Sequence, residues 1–100
     1  MKIYIAGKIT GDPEYRRKFA CAARQVEELG HIALNPAELP EGMAAADYMR
    51  ICFAMIDTAD ELWYLADAAK SAGARVEMQY CRYVKKRTRK LSDAVEEDHG

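Results

Sequence analysis

The chain has 100 residues, 50% of them hydrophobic and 31% charged, with a formal net charge of -1. That describes a single domain, residues 1–100, able to bury about two-thirds of the surface its unfolded chain exposes. It argues against a nucleic-acid partner, which selects clearly basic surfaces, and no apolar stretch approaches the length of a membrane span.

Three cysteines, Cys21, Cys52 and Cys81, lack C-x-x-C spacing and so suggest neither a disulfide framework nor a zinc site. The apolar run at the N-terminus breaks at Lys8, too short for a secretory signal. A reduced, cytoplasmic setting is the expectation.

Lys2 to Ala6 is β-branched and aromatic and ends at Gly7, which reads as a buried first strand. Gly7 to Pro13 is a turn-rich loop, with Asp12 as a helix N-cap and Pro13 as the first helical residue. Tyr15, Phe19, Ala22, Val26 and Leu29 follow at helical spacing, and Gly30 stops the helix. His31 to Leu34 is a short second strand. The two-proline loop from Asn35 to Gly42 is long enough to be a flap.

A second helix is predicted from Ala44 to Thr58, with Tyr48, Ile51, Cys52, Met55 and Ile56 inward. Glu61 to Ala66 is the third strand, and Ser71 to Lys86 the third helix. A weak fourth strand is expected around Arg89 to Ala94, with the last eight or so residues a frayed tail. Strand and helix alternate throughout. That predicts an α/β fold, a small doubly wound three-layer sandwich on a parallel sheet of about four strands.

Two loops at the carboxyl edge of such a sheet could carry chemistry. The first offers Gly7, Lys8, Thr10 and Gly11 beside a helix N-terminus, where an anion such as phosphate is favoured. Its spacing fits equally well two glycines serving a tight turn. The second is Ser71-Ala-Gly-Ala-Arg-Val-Glu77. Ser71 is a good N-cap, and Gly73 permits close approach of a ligand or another backbone. A capping-box carboxylate would stand at position 74. Glu77 stands six residues after the cap, in the stripe of Ala74, Met78 and Cys81. It can lean toward the sheet edge as a nucleophile or base, or face solvent from a boundary position.

Tyr4 is a sheet aromatic whose hydroxyl could reach the same edge. Asp57 and Asp60 fit helix termination and solvation. His31 and His99 read as surface residues without spaced partners for a metal. The basic run 85–90 reads as the solvated end of a helix.

Lys2-Ile-Tyr-Ile-Ala-Gly-Lys-Ile-Thr-Gly11, Asn35-Pro-Ala-Glu-Leu39, Asp47-Tyr-Met-Arg50 and Ser71 to Glu77 together resemble the nucleoside 2-deoxyribosyltransferase-like superfamily. The resemblance covers about residues 1–85 and is greatest to its small bacterial and phage branch, DUF4406. It implies a flavodoxin-like (Rossmann-like) fold and cleavage of the N-glycosidic bond of a nucleoside or nucleotide, by hydrolysis or deoxyribosyl transfer.

By resemblance, Glu77 is the nucleophile, Tyr4 assists it, and Ser71 with the glycine loop anchors a 5'-monophosphate. No cofactor or metal is implied, and a homodimer or larger homo-oligomer is. One position departs from the pattern: Cys52 stands where the superfamily has an aspartate. Asp57 or Asp47 could then supply the acid from another turn, or the domain could be a non-catalytic nucleotide-binding module.

Overall fold

The computed structural model of the protein describes residues 1–99, and of His99 the backbone alone, so the expectation of a surface His99 lies outside the described side chains. Four strands, β1 (Lys2–Ala6), β2 (Ile32–Leu34), β3 (Glu61–Tyr64) and β4 (Thr88–Lys90), form one all-parallel sheet in the order β2-β1-β3-β4. Helices α1 (Tyr15–Glu28) and α4 (Leu91–His99) cover one face, and α2 (Ala45–Thr58) and α3 (Ala72–Tyr83) cover the other. This is a flavodoxin-like three-layer sandwich.

The two-residue period of the strands divides the core. Ile3, Ile5, Trp63 and Leu65 pack against Phe19, Ala22 and Val26 of α1 and against Leu91 and Ala94 of α4. Tyr4, Ala6 and Leu62 face Cys52 and Ile56 of α2 and Cys81 of α3. Gly30, at φ 87°, ends α1 as expected, with the His31 N–H returning to the Val26 carbonyl. Lys85 does the same for α3 at φ 63°, without a glycine.

Several expectations need correction. Helix α1 starts at Tyr15, and the Asp12 carboxylate accepts from the Glu14 N–H, closing a turn before the helix. The strand expected over 89–94 is Thr88–Lys90, and the tail expected to fray is α4. Leu91 and Ala94 bury against α1, while the Arg89 guanidinium donates to Glu97 at 2.7 Å. Leu91, Ala94 and Val95 are a helical repeat of three and four that is too brief to stand out beside the charges.

His31 is half-buried and not free on the surface. Its ring stands edge-on to Trp63 and bonds Asp98 at 3.1 Å. Nor is the basic run merely solvated. The Lys86 ammonium caps the carboxyl end of α2 at the Ile56 and Ala59 carbonyls, and Arg89 lies over the Trp63 ring.

Sheet order positions the site. From β1 the chain passes to β2 on one side, and β3 lies on the other, so the connections leaving β1 and β3 diverge to opposite faces. A crevice must open above the carboxyl ends of β1 and β3, where open α/β sheets bind ligands.

Candidate active site

A cleft of about 940 Å³ occupies that crevice. Tyr4 and Glu77 lie at its base. Tyr4 is on the central strand β1 and wholly buried, and its hydroxyl donates to Glu77 Oε2 at 2.9 Å. Glu77 follows the N-terminus of α3 by a turn and a half, on the face that also carries Ala74 and Cys81, and is 7% exposed.

Burial pushes the Glu77 carboxyl up to about 7, although hydrogen bonds from Tyr4 and Cys52 pull it back. Burial, then the charge of Glu77, holds the Tyr4 phenol well above its usual range. Cys52 abuts both groups from α2, and its thiol is pushed up to about 11 by burial, so it stays protonated near neutrality.

Of the other residues singled out from sequence, Gly7, Thr10, Gly11, Ser71 and Gly73 line the cleft. Ser71 caps α3, its Oγ accepting from the Ala74 N–H at 3.2 Å. That leaves the Ala72 and Gly73 N–H groups without an acceptor among the described residues, at the cleft wall.

Gly7 has a packing reason: a Cβ there would come within 2.8 Å of Leu65 Cδ1 and 3.1 Å of Phe19 Cζ. Gly73 has space, the nearest neighbour of an added Cβ being the Met49 methyl at 3.5 Å.

The sequence profile of DUF4406, a domain of unknown function, matches residues 1–89. The chain belongs to the DUF4406 family. No curated protein matches it. Among solved structures it is similar to a 2-deoxyribosyltransferase from the psychrotolerant bacterium Bacillus psychrosaccharolyticus. The TM-score is 0.71 at 21% identity, over 88% of this chain and 69% of that one. At that identity the likeness shows a shared fold.

Three expected positions of this DUF4406 domain stand outside the cleft lining. The Asp47 carboxylate pairs with Arg50 at 2.8 Å, and the Asp57 carboxylate accepts from the Tyr80 hydroxyl at 2.7 Å. Lys8 is held by its backbone, its N–H donating to Asp67 Oδ1 at 3.1 Å.

The carboxylates that share the cleft with Glu77 are instead Asp12 and Glu41. Asp12 is held below its usual range, chiefly by its hydrogen bond from Lys18. Glu41 sits in the two-proline loop, which is tied down where the Tyr48 hydroxyl accepts from the Met43 N–H and donates to the Pro40 carbonyl. In sequence the loop stood out for its length and its Asn35-Pro-Ala-Glu-Leu39 motif, neither of which singles out Glu41. Among the described residues, no three His, Cys, Asp or Glu side chains gather as a metal site would require, and no helix is long and apolar enough to cross a membrane.

Proposed function

We propose that the cleft binds a nucleoside or nucleotide, a 5'-monophosphate by preference, and cleaves its N-glycosidic bond through Glu77. The observation that carries this is the Tyr4–Glu77 hydrogen bond at the base of the cleft, with the carboxyl near 7. In the proposed step, a Glu77 oxygen attacks the anomeric carbon as the bond to the base nitrogen breaks. That electron pair leaves with the base, which takes a proton from solvent water, a proton that the water of the second step returns. Water then attacks the same carbon, releases the sugar and restores the carboxylate, as in a retaining displacement. Tyr4 holds Oε2, aiming the carboxylate and easing its ionisation.

The phosphate preference draws support from the free N–H groups of Ala72 and Gly73 at the start of a twelve-residue helix. No Lys or Arg lines the cleft among the described residues, so N–H groups and the hydroxyls of Thr10 and Ser71, and not a side-chain cation, would meet the phosphate. The likeness to a 2-deoxyribosyltransferase supports a nucleoside-type ligand. The chain is read as acting in a homodimer or larger homo-oligomer, in the cytoplasm.

Cys52 favours a second reading. A thiol held near 11 is too weak an acid to protonate a departing base, and such a site could bind nucleotide without cleaving it.

Chromatographic assay of base release from ribo- and deoxyribonucleosides and their 5'-monophosphates separates the two. The first reading expects release by the wild type, fastest from a monophosphate, and a loss of about a thousandfold or more in Glu77→Ala. Calorimetric binding without release selects the binding module. Neither binding nor release, in wild type and variant alike, ends both.

A further inference from the structure

Lys18, in the first turns of α1, is outside the cleft lining, yet its ammonium group meets three acceptors from two segments around the cleft. It donates to Asp12 Oδ2 at 2.6 Å, to Asp67 Oδ2 at 2.5 Å and to the Lys8 carbonyl at 2.8 Å. Asp67 closes the set by accepting the Lys8 N–H on its other oxygen. The peptide groups on both sides of residue 8 are thereby fixed.

An ammonium group has three N–H donors, and each is used inside the protein, which leaves Lys18 none for a ligand. Asp67 stands between β3 and the Ala68–Lys70 turn that leads to Ser71, whereas Lys8 and Asp12 belong to the β1–α1 loop. The two connections that diverge to make the crevice are thus tied together at one nitrogen. Both carboxylates lie below their usual range and the lysine above its own, each partly through these mutual hydrogen bonds.

We infer that Lys18 is a positioning residue, clasping the β1–α1 loop to the β3–α3 connection and so fixing the path of Gly7 to Asp12 along the cleft wall for ligand binding. The clasp acts on the wall and not on Glu77, which Tyr4 and α3 hold independently. Its loss should therefore weaken binding and spare the chemical step. The consequence for binding rests on the reading of the cleft as a nucleotide site; the clasp itself does not.

The test combines amide hydrogen exchange with kinetics on the full chain. In Lys18→Met, which keeps the apolar stem, the Lys8 amide should exchange at least about tenfold faster while Ile3 to Ala6 keep their protection. The KM for a deoxynucleoside 5'-monophosphate should rise about tenfold with kcat within about threefold, whereas Glu77→Ala should lose kcat and keep KM. Lys18→Arg, which restores charge and donors, should recover part of both losses.

Unchanged Lys8 exchange overturns the inference, and so does faster exchange with KM and kcat unaltered or with kcat alone reduced. If the wild type neither binds nor cleaves any nucleotide, the functional reading has failed, and the exchange result alone decides for or against the clasp. Should Lys18→Met not fold, Asp67→Asn loosens the same Lys8 amide at nearly constant volume and carries the same expectations.

Discussion

Two glutamates of this protein, Glu61 and Glu77, are each 7% exposed, yet their surroundings differ completely. Glu61 opens β3 and faces α1 and α4. Its Oε1 accepts from Arg89 Nε and from the Trp63 indole N–H, both at 2.9 Å, and the guanidinium lies over the Trp63 ring. Glu77 faces the cleft on the opposite side of the sheet. Its partners are a phenol and a thiol, with no ion pair among the described residues. A buried carboxylate paired with an arginine ties elements together. One without a cation has its charge resisted by burial, and its proton comes off in the neutral range. Burial alone therefore does not single out a candidate site carboxylate; burial without a counter-charge, at the mouth of the sheet, does.

The contrast is broken most severely by removing its cation. Arg89→Ala leaves Glu61 buried with only the Trp63 indole and a 3.9 Å contact from the exposed Arg87, and should cost about 3–5 kcal/mol in urea unfolding at pH 7. A loss below about 1 kcal/mol would make Glu61 no different from an exposed pair.

The next effect is a pH dependence. The Glu77 carboxyl is at about 7 in the folded protein against an ordinary 4.5. The native state therefore holds a proton that the unfolded chain has lost between those values. Its contribution to stability is complete below 4.5 and disappears as pH rises through 7, a fall of about 3 kcal/mol. Glu77→Gln should flatten that part of the stability–pH curve, and an unflattened curve assigns the slope to other groups.

A smaller effect is expected at the hydrogen bond. Tyr4→Phe should move the Glu77 carboxyl further up, because the phenol helps to hold the charged form, and should lower stability by about 1–2 kcal/mol. The carboxyl carbon-13 shift followed against pH measures this directly, and a downward move contradicts the assigned donor. Smallest is Arg87→Ala. Arg87 is 62% exposed and reaches Glu61 only at 3.9 Å, so its removal should cost no more than about 0.5 kcal/mol. A cost equal to that of Arg89 would mean that Glu61 is held by a network instead of one arginine.

The two glutamates were unequally legible in the sequence. Glu77 announced itself through local spacing, six residues past Ser71 and in a helical stripe, and that spacing survives folding because a helix is a local structure. Glu61 and Arg89 did not, because their pairing depends on the parallel register that sets Trp63 opposite Arg89. The same holds for Lys18, whose two carboxylates lie 6 and 49 residues away.

The sheet itself was readable from β-branched and aromatic runs separated by helical stripes. Helix α4 was not, since three small or medium apolar residues among charges carry little pattern until Arg89 and His31 pin its far end. Gly7 was identified as a special position for a turn, whereas its constraint is the side chains of Leu65 and Phe19, which no local reading reaches.

The central claim, that Glu77 is a nucleophile, is tested most directly by trapping its product. Wild-type protein mixed with a deoxynucleoside 5'-monophosphate and quenched in acid within milliseconds should yield one peptide heavier by the phosphodeoxyribosyl group, modified at Glu77 and absent from Glu77→Gln. Release of the base with that peptide unmodified, or with the sugar attached elsewhere, would contradict the account.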